Sequence, residues 1–353
     1  MDATAFSPLA LTQVLPFLPL AQGTIDYEVD RRGEDDLIGN VLGESSTQVM
    51  LLHNGLIAVP RGQGVIADRE AGKIRPALVP GTYIRERLAE HQMLTAIYLG
   101  VERTAMSDTR YVAIDITRAV HEVPDAAGQG ADDGFDHDHD SLLDHAVQRF
   151  DWVDLRGFAP HVGARDAGLA TSAVAVAAWH NRQRFCPCCG AAVTPALAGW
   201  AQRCTNANDG NRILFPRVEP AVITAIVDSK DRLLLQHNAA WKGNLHSVSA
   251  GFVEAGENLE HAARREALEE TGIKLGQVKY LGSQPWPFPS SLMMAFKAQA
   301  LTTDIQVDHE ETLGARWFTR SEFTDALASG QVTAPGKATI ARYMIEEWYG
   351  SSL

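Results

Sequence analysis

The 23 residues that begin at Gly251, GFVEAGENLEHAARREALEETGI, constrain the fold more tightly than any other part of the chain. SVSAGFV, which runs into them, has the pattern of a strand, and Gly251 and Gly256 bracket a short loop. Asn258–Thr271 has helical spacing, with Asn258 as N-cap and Gly272 just past the C-terminus. Leu259, Ala262, Ala263, Ala267 and Leu268 supply a buried stripe. Glu266, Glu269 and Glu270 fall at i, i+3 and i+4, so one helical face carries three carboxylates. Each like-charged pair at such spacing costs a helix about 0.2–0.5 kcal/mol. Arg265 with Glu269 and Glu260 with Arg264 offset part of this, and taken alone the helix reads as a solvated charged face.

Composition narrows the choice of partners. The 353 residues are enough for two or three domains, and 31 Lys and Arg against 44 Asp and Glu give a net charge of −13. Such a surface does not attract nucleic acid or anionic membrane as a whole, so a polyanionic partner needs a local basic patch or bound cations. No run approaches the ~20 apolar residues of a membrane span, and no membrane partner is expected. The N-terminal MDATAFSPLALTQVLPFLPLAQG lacks a basic start and is interrupted by Pro8, Pro16 and Pro19, so it reads as domain structure and not as a signal peptide. The four cysteines, Cys186, Cys188, Cys189 and Cys204, lie within 19 residues. That clustering points to metal binding in a reducing compartment, and a cytoplasmic location is expected.

Along the chain, residues 1–150 read as mixed and strand-rich. QVMLLHNGLIAV is a hairpin about Asn54-Gly55, and LTAIYLGV and RYVAIDI are further strands. The stretch 124–141, rich in Asp and Gly with two His, reads as a solvated loop more readily than as a metal site. Residues 165–185 have helical spacing, the cysteines follow, and from Ala221 strands AVITAIV and RLLLQH flank a turn. VKYLGSQ, LMMAFKAQA and ARWF are strands, and RSEFTDALASG, with Ser321 as cap, and ATIARYMIEEWY are helices. No internal repeat is visible.

Read as a whole, G-x5-E-x7-R-E-A-L-E-E-T-G-I fills every constrained position of the Nudix signature: Gly251, Glu257, Arg265, Glu266, Glu269, Glu270, Gly272 and Ile273. The sequence resembles a Nudix hydrolase. That resemblance implies Glu266, Glu269 and Glu270 as ligands of Mg²⁺ or Mn²⁺, Arg265 as the residue that orients them by ion pairing, and Glu257 as a brace for the loop or for Arg265. The physics agrees, because Mg²⁺ prefers oxygen ligands and is often shared between carboxylates and substrate phosphates.

Downstream, SQPWPFPSSLM has three prolines in seven residues, which make a stiff extended segment that is neither helix nor central strand. By composition it reads equally as a core-packing loop. Literally, it matches the SQPWPFPxS motif of the NADH pyrophosphatase (NudC-like) subfamily. The resemblance, strong from about 180 to 345 and weak before 150, implies hydrolysis of NADH or NAD⁺ to nicotinamide mononucleotide and AMP, with RNA as a partner only when NAD-capped. It also implies a homodimer. Glu311 takes the place of an additional metal-binding glutamate, with Glu310 a solvated neighbour. Phe252 matches a base-stacking aromatic, and Phe215 stands where the family has a Tyr offered by the partner subunit. Gln284, Trp286, Ser291 and Met293 match substrate-lining positions, as do Ile223 and Ala341 more weakly. Trp317 and Trp348 read as core. The rival activities are hydrolysis of ADP-ribose or a diadenosine polyphosphate and, in a different class, a non-catalytic nucleotide sensor.

The family carries a four-cysteine zinc ribbon. Here FCPCCG supplies Cys186 and Cys189, and Cys204 follows, but Ala207 occupies the C-x2-C position and Asp209 the C-x4-C one. Two readings stand: Zn²⁺ held by Cys186, Cys189 and Cys204 with Asp209 or water, or a ribbon that folds without metal. Cys188 is adjacent to a ligand and is left out. Arg182, Arg184, Arg203, Arg212 and Arg217 read as solubilising charge more readily than as a basic patch. The expected fold class is α/β: an N-terminal mixed α/β domain (1–160), a linker helix (161–182), a zinc-ribbon-like segment (183–217) and a C-terminal Nudix α/β/α sandwich (218–353).

Overall fold

A computed structural model describes residues 18–21, 23–67, 72–90, 93–120 and 142–353. The 124–141 stretch and most of the N-terminal segment lie outside the described residues. The chain forms two compact units, Gly23–Arg217 and a second that combines Val218–Leu353 with residues preceding Gly23. Leu18 is accordingly buried in the core of the second unit.

The first unit holds strands β1 (Gln48–His53), β2 (Leu56–Val59), β3 (Leu78–Pro80), β4 (Thr95–Arg103), β5 (Asp108–Asp115) and β6 (Asp151–Val153). Its helices are α1 (Leu37–Leu42), α2 (Gly64–Ala67), α3 (Gly81–Glu90), α4 (Leu142–Arg149), α5 (Leu155–Phe158) and α6 (Ala164–Arg182). β1 and β2 form the hairpin expected about Asn54-Gly55. The helix expected as a linker is α6, which buries Ala167, Ala170, Ala173, Val174 and Ala177 and packs along the sheet of this unit. β7 (Val193–Ala196), β8 (Ala201–Cys204) and β9 (Ile213–Leu214) make a separate three-stranded ribbon.

The second unit contains β10 (Glu219–Val227), β11 (Leu233–Asn238), β12 (Ser249–Phe252), α7 (Leu259–Thr271), β13 (Leu275–Trp286), β14 (Ser291–Ala300), β15 (Thr312–Phe318), α8 (Arg320–Ala328) and α9 (Ile340–Tyr349). Strand alternation sorts its core. Ile223 and Ala225 of β10 pack with Phe323, Ile340, Met344 and Trp348 of α8 and α9. Val222 and Ile226 face Ala262, Ala263 and Ala267 of α7. The sheet is thus sandwiched between helices, as expected for this domain. Trp317 and Trp348 are buried. The Pro-rich segment ends β13, an edge strand, where Pro285 costs no central ladder bond.

Two findings depart from the expectations. The cap of α8 is Thr319, not Ser321: the Thr319 hydroxyl accepts from Glu322 N, and Glu322 reaches back to Thr319 N in a complete capping box. Ser321 lies inside the helix. There is also a repeat, carried by topology and not by sequence. The first sheet runs β4-β5-β1-β2-β6 with β3 beside β1, and the second runs β13-β14-β10-β11-β15 with β12 beside β10. In both, the first strand is parallel to one neighbour and hairpin-paired to the other. In the first unit α3 stands where α7 stands in the second, but it follows β3 without a loop and reads GTYIRERLAE, lacking adjacent glutamates.

Candidate active site and cysteine cluster

Asn258 Oδ1 accepts from His261 N and starts α7, and Gly272, with φ 72°, ends it. These caps lie where the sequence placed them, and they set the phase of the helix against β12. Antiparallel partners share a face, so Ser249 and Gly251 of β12 turn with Thr224 and Val222 toward α7. The absence of a side chain at Gly251 makes room for the Glu266 carboxylate: a Cβ there would lie 2.0 Å from Glu266 Cδ. Ser249 Oγ donates to Glu270 Oε2 at 2.6 Å.

Arg265 organises the rest. Its Nε and Nη2 donate to the two oxygens of Glu257 at 3.0 and 2.9 Å. Nη1 donates to Glu266 Oε1 at 2.8 Å and to Glu269 Oε2 at 2.9 Å, and Nη2 also reaches the Phe252 carbonyl at 2.8 Å. A planar fork with fixed donor directions can hold loop, strand and helix at once, which a lysine cannot. Glu257 also accepts from Glu254 N, and its bond to Arg265 leads the causes that hold its carboxyl down to about 2. It therefore braces both the loop and Arg265.

The remaining carboxylates are under opposite pressure. Burial raises the pKa of Glu266, the charges of Glu269 and Glu311 add to the rise, and Arg265 opposes it. Burial pushes Glu270 up to about 7, against the Ser249 and Gln236 bonds and with further repulsion from Glu266 and Glu311. Glu311, in the loop before β15, thus belongs electrostatically to the group. Glu269 points outward, its side chain 59% exposed and tied to Arg265. These carboxylates offer like-charged hard oxygens, the ligand type that Mg²⁺ and Mn²⁺ prefer. Ser249 and Gln236 carry no motif, and only strand alternation two residues before Gly251 hints at the first of them.

On the opposite face of the sheet, Phe252, Ala221, Met293 and Gln284 lie level across β12, β10, β14 and β13. One row along, Trp286 is level with Ser291. Phe252, Met293, Gln284, Trp286 and Ser291 therefore share one end of one sheet face, with the glutamates on the other side of β12. They differ in access. Phe252 is 53% exposed, whereas Gln284 is fully buried, its Nε2 donating to the Ala338 carbonyl. Ser291, Ile223 and Ala341 are buried, the last two in the core between β10 and α9. Phe215 is exposed and belongs to the other unit.

In the ribbon, Cys186, Cys189, Cys204 and Asp209 bring their donor atoms within 4.8 Å of one another. Cys189 Sγ is 3.5 Å from Cys204 Sγ, and Cys186 Sγ donates to Asp209 Oδ2 at 3.3 Å. A tetrahedral Zn²⁺ with Zn–S near 2.3 Å requires sulfurs about 3.8 Å apart, so three thiolates and one carboxylate fit a structural Zn²⁺. Asp209 lies where a fourth ligand would stand, and Arg212 Nε donates to it at 3.2 Å. Cys188 is exposed and outside the set.

Compared with known families, the chain matches a NUDIX domain over residues 217–338, an NADH pyrophosphatase zinc ribbon domain over 181–213 and an NADH pyrophosphatase-like rudimentary NUDIX domain over 46–179. It is 42% identical over 205 residues to the NAD-capped RNA hydrolase NudC of Mycobacterium bovis, covering 56% of this chain and 64% of that one. The same figures hold for the Mycobacterium tuberculosis protein of that name. Identity to the NAD-capped RNA hydrolase NUDT12 of Homo sapiens is 33% over 284 residues, covering 76% of this chain and 59% of that one. The matches span just under two thirds of the length of these relatives. Among the described residues no helix is long and apolar enough to cross a membrane.

Proposed function

Since the chain belongs to the Nudix family in its NADH pyrophosphatase branch, with all three of that branch's domains in order, we propose that it hydrolyses the pyrophosphate of NADH and NAD⁺ to nicotinamide mononucleotide and AMP, and removes NAD caps from RNA. The observation that carries this reading is the arrangement about Gly251: a glycine-vacated space filled by Glu266, a buried Glu270 held by Ser249, and one arginine bonded to loop, strand and helix.

Glu266, Glu269, Glu270 and Glu311 would hold Mg²⁺ or Mn²⁺. A bound ion of this kind neutralises diphosphate charge and makes water a better nucleophile. The protein's own part is positional. Arg265 keeps Glu266 and Glu269 aimed together, and Ser249 keeps the Glu270 carboxylate turned toward β12. Phe252 offers an exposed ring at the strand edge, where stacking on a base is worth about 1–3 kcal/mol. Glu269, exposed and paired with Arg265, would be free to turn toward such an ion. The working form is a homodimer in which Phe215 of a second copy stacks on the other base, in a reducing compartment that keeps the ribbon thiols free.

Turnover of NADH, NAD⁺, ADP-ribose and NAD-capped RNA in competition, with Mg²⁺ or Mn²⁺, tests this. NADH or NAD⁺ should lead among the small dinucleotides, and the doubly substituted Glu269→Gln, Glu270→Gln protein should keep its fold and lose turnover. Preference for ADP-ribose, or undiminished turnover by the double variant, refutes it.

A further inference from the structure

Among its described residues the first unit has no counterpart of the glutamate site, yet it holds a cleft lined by cations. Arg61, Arg75, Arg149 and Arg165 open into one cavity of about 550 Å³, together with Phe150 and Asp166. Four guanidinium groups around one cavity are notable in a chain of net charge −13. They divide into two pairs. Arg61 and Arg165 are held in place: Arg61 Nη1 donates to the Gln148 carbonyl at 2.8 Å, with Asp151 at 3.8 Å, and Arg165 bonds Asp166 at 2.8 Å and Glu102 at 3.2 Å. Arg75 and Arg149 are exposed and have no carboxylate partner among the described residues. Phe150 presents a half-buried ring beside them.

We propose that this cleft is a binding site for single-stranded RNA, which it holds by its phosphate backbone with a base on Phe150. The proposal rests on the reading that capped RNA is a substrate, and it deepens that reading by assigning where the body of the RNA is held. Charge supplies the argument. The glutamate site deals only with the two nucleotides of the cap, whereas every further nucleotide brings a negative charge that a net-acidic protein repels. Guanidinium pairs that already have acidic partners are rigid but partly neutralised. Arg75 and Arg149, which have no carboxylate partner among the described residues, therefore supply the more available charge, and the held pair supplies fixed donor geometry. A cationic groove with an aromatic face is the general form of a sequence-tolerant single-strand site. A free mononucleotide would gain little from four separated arginines, so the cleft favours a chain over a small anion.

The test uses the 353-residue chain and NADH, an NAD-capped single-stranded RNA and the same RNA with an uncapped 5′ end, the RNAs labelled for fluorescence anisotropy, with inorganic phosphate and AMP as competitors. Each lost phosphate contact lowers the slope of log affinity against log salt by about 0.7 for a single strand. The Arg75→Gln, Arg149→Gln variant should thus lose about 1.4 from that slope and bind RNA on the order of tenfold more weakly near 0.15 M salt. Its turnover of capped RNA should fall with binding, its kcat/KM for NADH should not change, and Arg75→Lys with Arg149→Lys should restore the slope. Unchanged RNA affinity and slope in the Gln variant overturn the proposal, as does equally tight binding of inorganic phosphate or AMP at the same arginines. If the parent protein fails to hydrolyse NADH, the proposed activity falls, while anisotropy with uncapped RNA still decides the cleft.

Discussion

Replacing Gly251 by alanine tests the geometry of the site with a single methyl group. The new Cβ would stand 2.0 Å from Glu266 Cδ and 2.2 Å from both carboxylate oxygens. Carbon atoms in ordinary contact sit about 3.5–4.0 Å apart. The carboxylate must therefore retreat by roughly 1.5 Å, since Gly251 is fixed by its pairing with Val222 of β10. The group that moves is the end of a flexible side chain, so the fold survives. The expected cost is the Arg265–Glu266 bond, about 1 kcal/mol, and a distorted rotamer at about 0.5–1.5 kcal/mol. That amounts to a fall of a few degrees in the unfolding temperature. Catalysis is far more sensitive, because a displacement near 1 Å at a positioned group costs about 10²-fold. Steady-state NADH hydrolysis at saturating Mg²⁺, beside thermal unfolding, reads both. The companion is Gly256→Ala, where nothing lies within 4 Å but φ is +89°. It should lose about 1–2 kcal/mol through backbone strain and keep most of its turnover. Gly251→Ala turning over NADH within threefold of the parent would refute the claim that this glycine exists to admit Glu266.

Three further outcomes follow from the same geometry. Arg265→Lys keeps the charge but loses the fork that joins Glu257, Glu266, Glu269 and the Phe252 carbonyl, so kcat should fall at least tenfold, and parental kinetics would contradict the orienting role. Glu270, raised to about 7 chiefly by burial, binds a proton more tightly folded than unfolded, so in EDTA its contribution is complete below about pH 4.5 and is lost as pH rises through 7. Glu270→Gln should therefore stabilise the metal-free protein by up to a few kcal/mol at pH 8 and hardly at pH 4, and a pH-independent difference counts against the buried carboxylate. Asp209→Ala should lower bound zinc, measured by mass spectrometry of the metal, and lower the melting temperature, whereas Cys188→Ser should leave zinc at one per chain; equal zinc in both variants would remove Asp209 from the ligand set.

Much was legible in the sequence where the signal was local. The caps Asn258 and Gly272, the hairpin at Asn54-Gly55 and the edge position of the Pro-rich segment each depend on a few adjacent residues whose conformations are restricted whatever surrounds them. The spacing of Glu266, Glu269 and Glu270 needed only the helical repeat. Asp209 could be proposed as a ligand by counting from Cys204. The expectation of Ser321 as cap failed because Thr319, two residues earlier, can cap as well, and the choice depends on where β15 releases the chain.

The sequence by itself determined the strand–loop–helix of the glutamate site, the ribbon and the family to which they belong, because those features recur at fixed separations along the chain. Only the tertiary structure decided the rest. It turned Ser249 toward Glu270 and set Phe252 level with Met293 across β10, ranked Gln284 as buried and Phe252 as open, and built the first sheet on the plan of the second without a shared sequence pattern. It also drew Arg61, Arg75, Arg149 and Arg165 from distant segments to one cleft. These outcomes depend on strand register and on which face each residue meets, quantities set by pairing between segments far apart in the chain and thus absent from any local pattern.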